Sequence, residues 1–258
     1  MIPKHIHQTW KNAAMDAPLK DYQNSWRQHN PSFSYSFYDD LNCVDFITQF
    51  YPEYVIPYSR LQTGVQKADF FRYLIVFHYG GIYADIDMEC YKSFDCFMPF
   101  NGLLLSVEAK LTHINQHKLG YSFPFQLANC IFAAEPKHWF LKKIINHIVT
   151  LIMDGTKIQN NEDIEDMTGP RMLTRLYYQL KYTKDIHILS QIYWMPPLNY
   201  PNIWPFNINM YAKHHFHGSW KKTNTKKKSL KQKWNERNRH PNPWSSLLMD
   251  LNELENYQ

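Results

Sequence analysis

Two carboxylates, Asp85 and Asp87, close the run Gly80-Gly-Ile-Tyr-Ala-Asp-Ile-Asp-Met-Glu. On a strand, alternate side chains face opposite ways, so Ile82, Ala84 and Ile86 are expected to enter a core while Tyr83, Asp85 and Asp87 share the other face. Two like charges on one face repel unless a cation lies between them. Mn²⁺ or Mg²⁺ suits carboxylate oxygens and can share its coordination with a diphosphate. The plainer alternative is a pair of solvated carboxylates at a strand end. Upstream, Asp69 and Arg72 are three residues apart and neighbours on a helix. They could pin that helix as an ion pair, or offer a carboxylate to sugar hydroxyls and a guanidinium to phosphate. Downstream, Tyr211-Ala-Lys-His-His-Phe-His-Gly-Ser-Trp holds His214, His215 and His217. One of these could complete a metal site; the alternative is a surface aromatic cluster. Trp10 could stack on a base or pack in the core.

These residues need elements to position them. Ile2 to Trp10 reads as a first core strand, Asp21 to His29 as a helix stopped by Asn30–Pro31, and Phe33 to Tyr38 as a strand ending at Asp39–Asp40. Residues 41–79 read as helices broken at Pro52 and Pro57. The last of them, Arg60 to Tyr79, is apolar enough to be buried and ends at Gly80–Gly81. Further strands are expected at Gly81–Asp87, Leu103–Val107, Asn129–Ala134 and Ile186–Leu189. Helices are expected over His138–Met153, from Thr168 as cap to Lys181, and over Trp244–Glu255. Residues 154–166 read as a loop and 190–210 as a packed irregular segment. Strands alternating with helices give an α/β fold.

The chain has 258 residues, 44% hydrophobic and 16% aromatic, which fits a globular domain with a sizeable core rather than a disordered chain. No apolar run reaches the roughly 20 residues that span a bilayer, and the N-terminus has no signal-peptide core. Cys43, Cys90, Cys96 and Cys130 form no CxxC pair and read as reduced packing residues. Residues 221–239 carry nine Lys or Arg and one Glu, whereas the rest of the chain is net −3. A nucleic-acid-binding body is therefore not expected. The basic segment suits an anionic partner such as a membrane surface.

Taken together, IPKHIHQTW, KADFFRYLIVFHYGGIYADID, NCIFAAEPKHWF, TGP and HHFHGSW, in this order, resemble family 32 of the glycosyltransferases. That family includes initiating mannosyltransferases and capsule or lipopolysaccharide sugar transferases, and is more distantly similar to clostridial glucosylating toxins. The resemblance covers roughly residues 1–220, with 221–258 left as a basic segment and terminal helix. It implies a GT-A fold with a mostly parallel sheet, a UDP- or GDP-sugar donor, a divalent cation, and transfer with retention to a glycan or lipid-linked glycan. On that mapping Trp10 stacks on the donor base and Tyr83 flanks the nucleotide. Asp69 and Arg72 hold the donor sugar, and Asn129 reaches it. Asp85 contacts the donor or the metal, Asp87 ligates the metal, His214 is the favoured third ligand, and Trp220 meets the diphosphate. The chain opens directly on its first strand without the anchor of Golgi relatives, so the resemblance implies a cytoplasmic enzyme of surface-polysaccharide synthesis, peripheral at the inner face of the membrane. The other readings weighed are an effector that glycosylates protein and a non-catalytic membrane- or nucleic-acid-binding module.

Overall fold

The computed structural model describes residues 1–181, 183–197, 200–202 and 206–217. Among these, the strands are β1 (His5–Thr9), β2 (Ser34–Tyr38), β3 (Gly81–Ala84), β4 (Met88–Cys90), β5 (Leu103–Lys110), β6 (Phe125–Leu127), β7 (Ile131–Ala134), β8 (Ile186–Leu189) and β9 (Ala212–His214). The main sheet runs β2-β1-β3-β7-β5-β6, with β8 also paired to β5. Strands β2, β1 and β3 are parallel to one another, as are β5 and β8, while β7 is antiparallel to both its neighbours. The α/β fold with a mostly parallel sheet is the one expected. Strands β4 and β9 form a separate antiparallel ribbon that sets Met88 opposite His214.

Both faces of the sheet are buried, as a crossover-connected sheet requires. Tyr83, Leu103, Leu105, Phe132 and Ala134 enter a core shared with the helices Gly64–Tyr79 and Trp139–Met153. Ile82, Ala84, Leu104, Ile131 and Ala133 enter a second core with Trp26, Phe94 and Trp194. Tyr83 is thus a core residue of the opposite face.

The helix Gly64–Tyr79 begins later than Arg60, because Thr63 and Gln66 form a capping box. It ends at Gly80, which has φ 67°. Gly81 follows at φ 95°, where a Cβ would meet the His5 carbonyl oxygen at 2.4 Å. Only glycine lets β3 lie this close to β1. Strand β3 stops at Ala84, earlier than the expected Asp87, and Asp85 to Met88 form a turn closed by Met88 N–H to Asp85 O at 3.0 Å.

Other elements depart from expectation. The acidic loop holds a helix, Asn161–Met167, started by an Asn160–Asp163 capping box. A short helix, His113–Leu119, and β6 were not foreseen. Thr168 does not cap the next helix, Pro170–Tyr178, whose N-cap is Gly169. Cys43, Cys90 and Cys130 are buried free thiols and Cys96 is an exposed one. No helix among the described residues is long and apolar enough to cross a membrane. The basic segment 221–239, Trp220 and the expected helix Trp244–Glu255 lie outside the described residues.

On β1, His7 is buried, donating Nε2–H to the Gly80 carbonyl at 3.0 Å and lying 3.3 Å from the Tyr38 hydroxyl through Nδ1. Burial, with His5 beside it, lowers its pKa to about 3 from 6.5. Between those values the unfolded chain binds the proton that the folded one refuses. Stability therefore falls as pH drops through this window, by up to about 1.4 kcal/mol per unit. Urea midpoints at pH 7 and pH 4.5 should lie closer together in His7→Gln than in the wild type.

Candidate active site

A cavity of about 560 Å³ opens at the carboxyl ends of β1 and β3, within the usual range for a small-molecule site. Thr9 and Trp10 come from the end of β1, and Asp85 to Asp87 from the turn after β3. Asp69 and Arg72 come from the buried helix behind the sheet, and His214 from β9.

Arg72 is buried and ties the site together. Its Nη1 contacts Asp69 Oδ1 at 2.9 Å and donates to the Asn129 carbonyl at 3.0 Å, and its Nη2 contacts Asp85 Oδ1 at 2.9 Å. Asp69 also accepts from Asn129 Nδ2 at 2.9 Å and from the Thr168 hydroxyl at 2.8 Å. Burial still pushes the Asp69 carboxyl up, to about 6, against the pull of Arg72 and Thr168. Asp85 accepts from the Tyr83 hydroxyl at 2.8 Å on the same Oδ1 that Arg72 holds. Its pKa is raised by burial, with Arg72 opposing and Asp87 adding to the rise.

Asp87 is gripped from the 214–217 segment. Its Oδ1 lies 3.0 Å from His214 Nε2, its Oδ2 accepts the His217 backbone N–H at 3.0 Å, and its carbonyl accepts the His215 N–H at 3.0 Å. Burial alone would raise the Asp87 carboxyl, but His214 and the His217 N–H outweigh it and hold it below the ordinary range. Burial opposes charge on His214, yet Cys130 and Asp87 beside it leave the imidazole well above its ordinary pKa.

Asp85, Asp87 and His214 offer three ligand atoms that all lie within 4.8 Å of one another. Two carboxylate oxygens and one imidazole nitrogen form a donor set suited to Mn²⁺ or Mg²⁺. His215 points away, to Glu89 Oε2 at 2.8 Å, and stacks on Tyr22 with ring centroids 4.2 Å apart. His217 also meets Tyr22 by its ring edge. The three histidines therefore divide their tasks: the His214 imidazole meets Asp87 Oδ1, while His217 meets Oδ2 through its backbone N–H.

Asp69, Arg72, Asp85, Asp87, Asn129 and His214 converge on the cavity, with a half-buried Trp10 on its wall. Tyr83 differs from expectation. It is fully buried and does not line the cavity; its ring lies beneath Arg72 at 4.9 Å and its hydroxyl bonds Asp85, so it supports those two side chains. Since its hydroxyl proton goes to Asp85, the Thr9 hydroxyl donates to it at 3.0 Å. Two supporting residues escaped the sequence reading. Gln8 donates to the Asp85 carbonyl at 3.1 Å and is itself held by Tyr35. Thr168 belongs to the quoted TGP run, but its proximity to Pro170 suggested a cap rather than a bond to Asp69.

Comparison with known proteins gives this geometry a context. The sequence profile described as "Glycosyltransferase sugar-binding region containing DXD motif" matches residues 16–104. Mannosyl phosphorylinositol ceramide synthase of Saccharomyces cerevisiae is 26% identical over 181 residues, covering 70% of this chain and 43% of that protein. Inositol phosphoceramide mannosyltransferase 1 of Schizosaccharomyces pombe is 32% identical over 152 residues, covering 57% of this chain and 43% of that protein. The chain thus matches less than half the length of these relatives. Among solved structures, the PaToxG glycosyltransferase is 20% identical, covers 69% of each chain and gives a TM-score of 0.49.

Proposed function

We propose that the chain is a DXD-containing glycosyltransferase of GT-A type, a reading supported by the profile match over residues 16–104, and that it moves a hexose or N-acetylhexosamine from a UDP- or GDP-sugar to a glycan or glycolipid hydroxyl with retention. The observation that carries this is the grouping of Asp85, Asp87 and His214 within 4.8 Å on the cavity that also holds Asp69 and Arg72. The names of its relatives make mannose the first donor sugar to test, as a UDP or GDP derivative.

Asp85, Asp87 and His214 would hold Mn²⁺ or Mg²⁺, which when bound neutralises the diphosphate leaving group. Arg72 adds fixed positive charge whose direction is set by Asp69, Asp85 and the Asn129 carbonyl. The Asp69 carboxylate, held by Thr168 and Asn129, stands ready to orient sugar hydroxyls and to favour positive charge growing on the sugar carbon. Trp10 offers a flat face for the base. Capsule or lipopolysaccharide synthesis, a cytoplasmic site of action and docking of segment 221–239 on anionic lipid are parts of the same proposal.

Thermal melting tests it. With Mn²⁺ and a panel of UDP- and GDP-sugars, one nucleotide class should raise the melting point, since a ligand at 100 times its Kd stabilises by about 2.7 kcal/mol. The shift should vanish in Asp87→Ala. No shift with any nucleotide, with or without metal, would contradict the proposal.

A further inference from the structure

We infer that Asp40 reads the base of the donor and selects guanine, so that the donor is a GDP-sugar; this rests on the cavity being a nucleotide-sugar site. The cavity extends well beyond the metal-binding carboxylates. Asp69 and Arg72 line it from the helix Gly64–Tyr79, and so does Gly64 at the start of that helix. From Arg72 back to Gly64 the helix rises about 12 Å, the reach of a nucleoside between its phosphate and the far edge of its base. The far end of the cavity is lined by Asp40, Cys43 and Tyr58.

The topology sets Asp40 beside Trp10. Strands β1 and β2 are parallel neighbours with Thr9 opposite Tyr38, and the Trp10 N–H donates to the Tyr38 carbonyl at 3.1 Å. Trp10 and Asp40 thus leave the sheet from adjacent strands, whose backbones lie about 5 Å apart, and both line the cavity. Capping does not use Asp40. The helix Asp40–Phe50 is capped by Asp39, whose Oδ1 accepts the Asn42 N–H at 2.8 Å, and Asp40 stands exposed in the first turn. Burial raises the Cys43 thiol and the Tyr58 hydroxyl, and the Asp40 charge adds to the rise. Both groups stay protonated, and Asp40 supplies the negative charge here. Two lysines of this region lie over aromatic rings, Lys11 over Trp10 and Lys67 over Tyr58, each 5.7 Å from the ring centroid.

A base stacked on the Trp10 ring has its plane fixed, and the Asp40 carboxylate then meets its edge. A carboxylate is an acceptor with two oxygens side by side. Guanine offers N1–H and the N2 amino group side by side, which match those oxygens as a bidentate, charge-assisted pair. Uracil offers one N–H between two carbonyl oxygens, which a carboxylate repels. Adenine and cytosine offer one amino group beside a ring nitrogen that is itself an acceptor. Of the four, guanine alone satisfies both oxygens. A site built around such a pair rejects the bases that leave it unpaired.

The test measures Kd by titration calorimetry on the full chain with Mn²⁺ and four nucleoside diphosphates. These are GDP, inosine diphosphate, which lacks the N2 amino group, xanthosine diphosphate, which carries a carbonyl in its place, and UDP. The wild type should bind GDP about 100-fold more tightly than UDP and about tenfold more tightly than inosine diphosphate. Asp40→Asn sets an amide N–H opposite the N2 position. It should weaken GDP and tighten xanthosine diphosphate, each about tenfold, which moves their ratio about 100-fold. A role in helix stability alone would lower the melting point of Asp40→Asn without moving that ratio. An unchanged ratio, or a wild type that binds UDP or inosine diphosphate as tightly as GDP, overturns the inference and leaves nucleotide binding standing. Should Asp40→Asn fail to fold, the wild-type ratios still decide. A wild type that binds none of the four instead overturns the sugar-transfer reading on which the inference rests.

Discussion

Asp87→Asn is expected to lower turnover by about 10²–10³-fold and to remove the Mn²⁺-dependent rise in melting temperature, while leaving the fold intact. The substitution keeps shape, and the amide oxygen can still accept the His217 N–H that now meets Oδ2 at 3.0 Å. It removes one of the two negative charges in the three-ligand set. A hard cation bound by one carboxylate and an imidazole loses much of its electrostatic hold. Steady-state rates across a Mn²⁺ titration measure both effects. A variant that keeps more than about a tenth of the turnover at the same Mn²⁺ concentration would assign the cation, or the chemistry, to other residues.

Arg72→Leu is the second large effect, and it strikes the fold as well as the reaction. The wild-type guanidinium is buried between two carboxylates, 2.9 Å from each of Asp69 and Asp85. Removing it leaves the buried Asp69 and the half-buried Asp85 without their cation, a change that costs about 3–5 kcal/mol. For a domain of this size that is roughly 6–20 °C in melting temperature. Arg72→Lys should recover part of the stability but little activity. One ammonium cannot reproduce a fork that reaches Asp69, Asp85 and the Asn129 carbonyl together. Calorimetric melts of the two variants, with turnover measured below both transitions, separate the contributions. Equal melting temperatures for Arg72→Leu and wild type would show that the buried pairs contribute nothing to stability.

Much of this site could be read from local sequence. Asp85 and Asp87 declare themselves because an apolar strand carries them to its end, and Asp69 and Arg72 because three-residue spacing on a helix brings them together. Which histidine faces the carboxylates was legible only by family resemblance. The structure explains the choice: the ribbon of β4 and β9 pairs Met88 with His214, and chain direction then turns His215 to Glu89. Alternation along the strand puts Tyr83 on the face of Asp85 and Asp87, but helices cover that face as well and its ring enters a core. Thr168 was beyond local reading, since it acts across 99 residues of chain on Asp69, and no single segment encodes its pairing with a distant partner.

The central claim is that the carboxylate–histidine cluster and the Asp69–Arg72 pair serve transfer of a sugar from a nucleoside diphosphate. It is tested most directly by incubating the full chain with Mn²⁺ and each UDP- or GDP-sugar, with and without the methyl α-glycosides of mannose, galactose and glucose as acceptors, and following nucleoside diphosphate release and product anomer by NMR. The expected result is release from one nucleotide class, abolished by EDTA and by Asp87→Asn, with the sugar's anomeric configuration retained in the product. Failure of every nucleotide sugar to be cleaved by folded, Mn²⁺-loaded protein in the presence of all three acceptors, or cleavage that Asp87→Asn leaves unchanged, would contradict it.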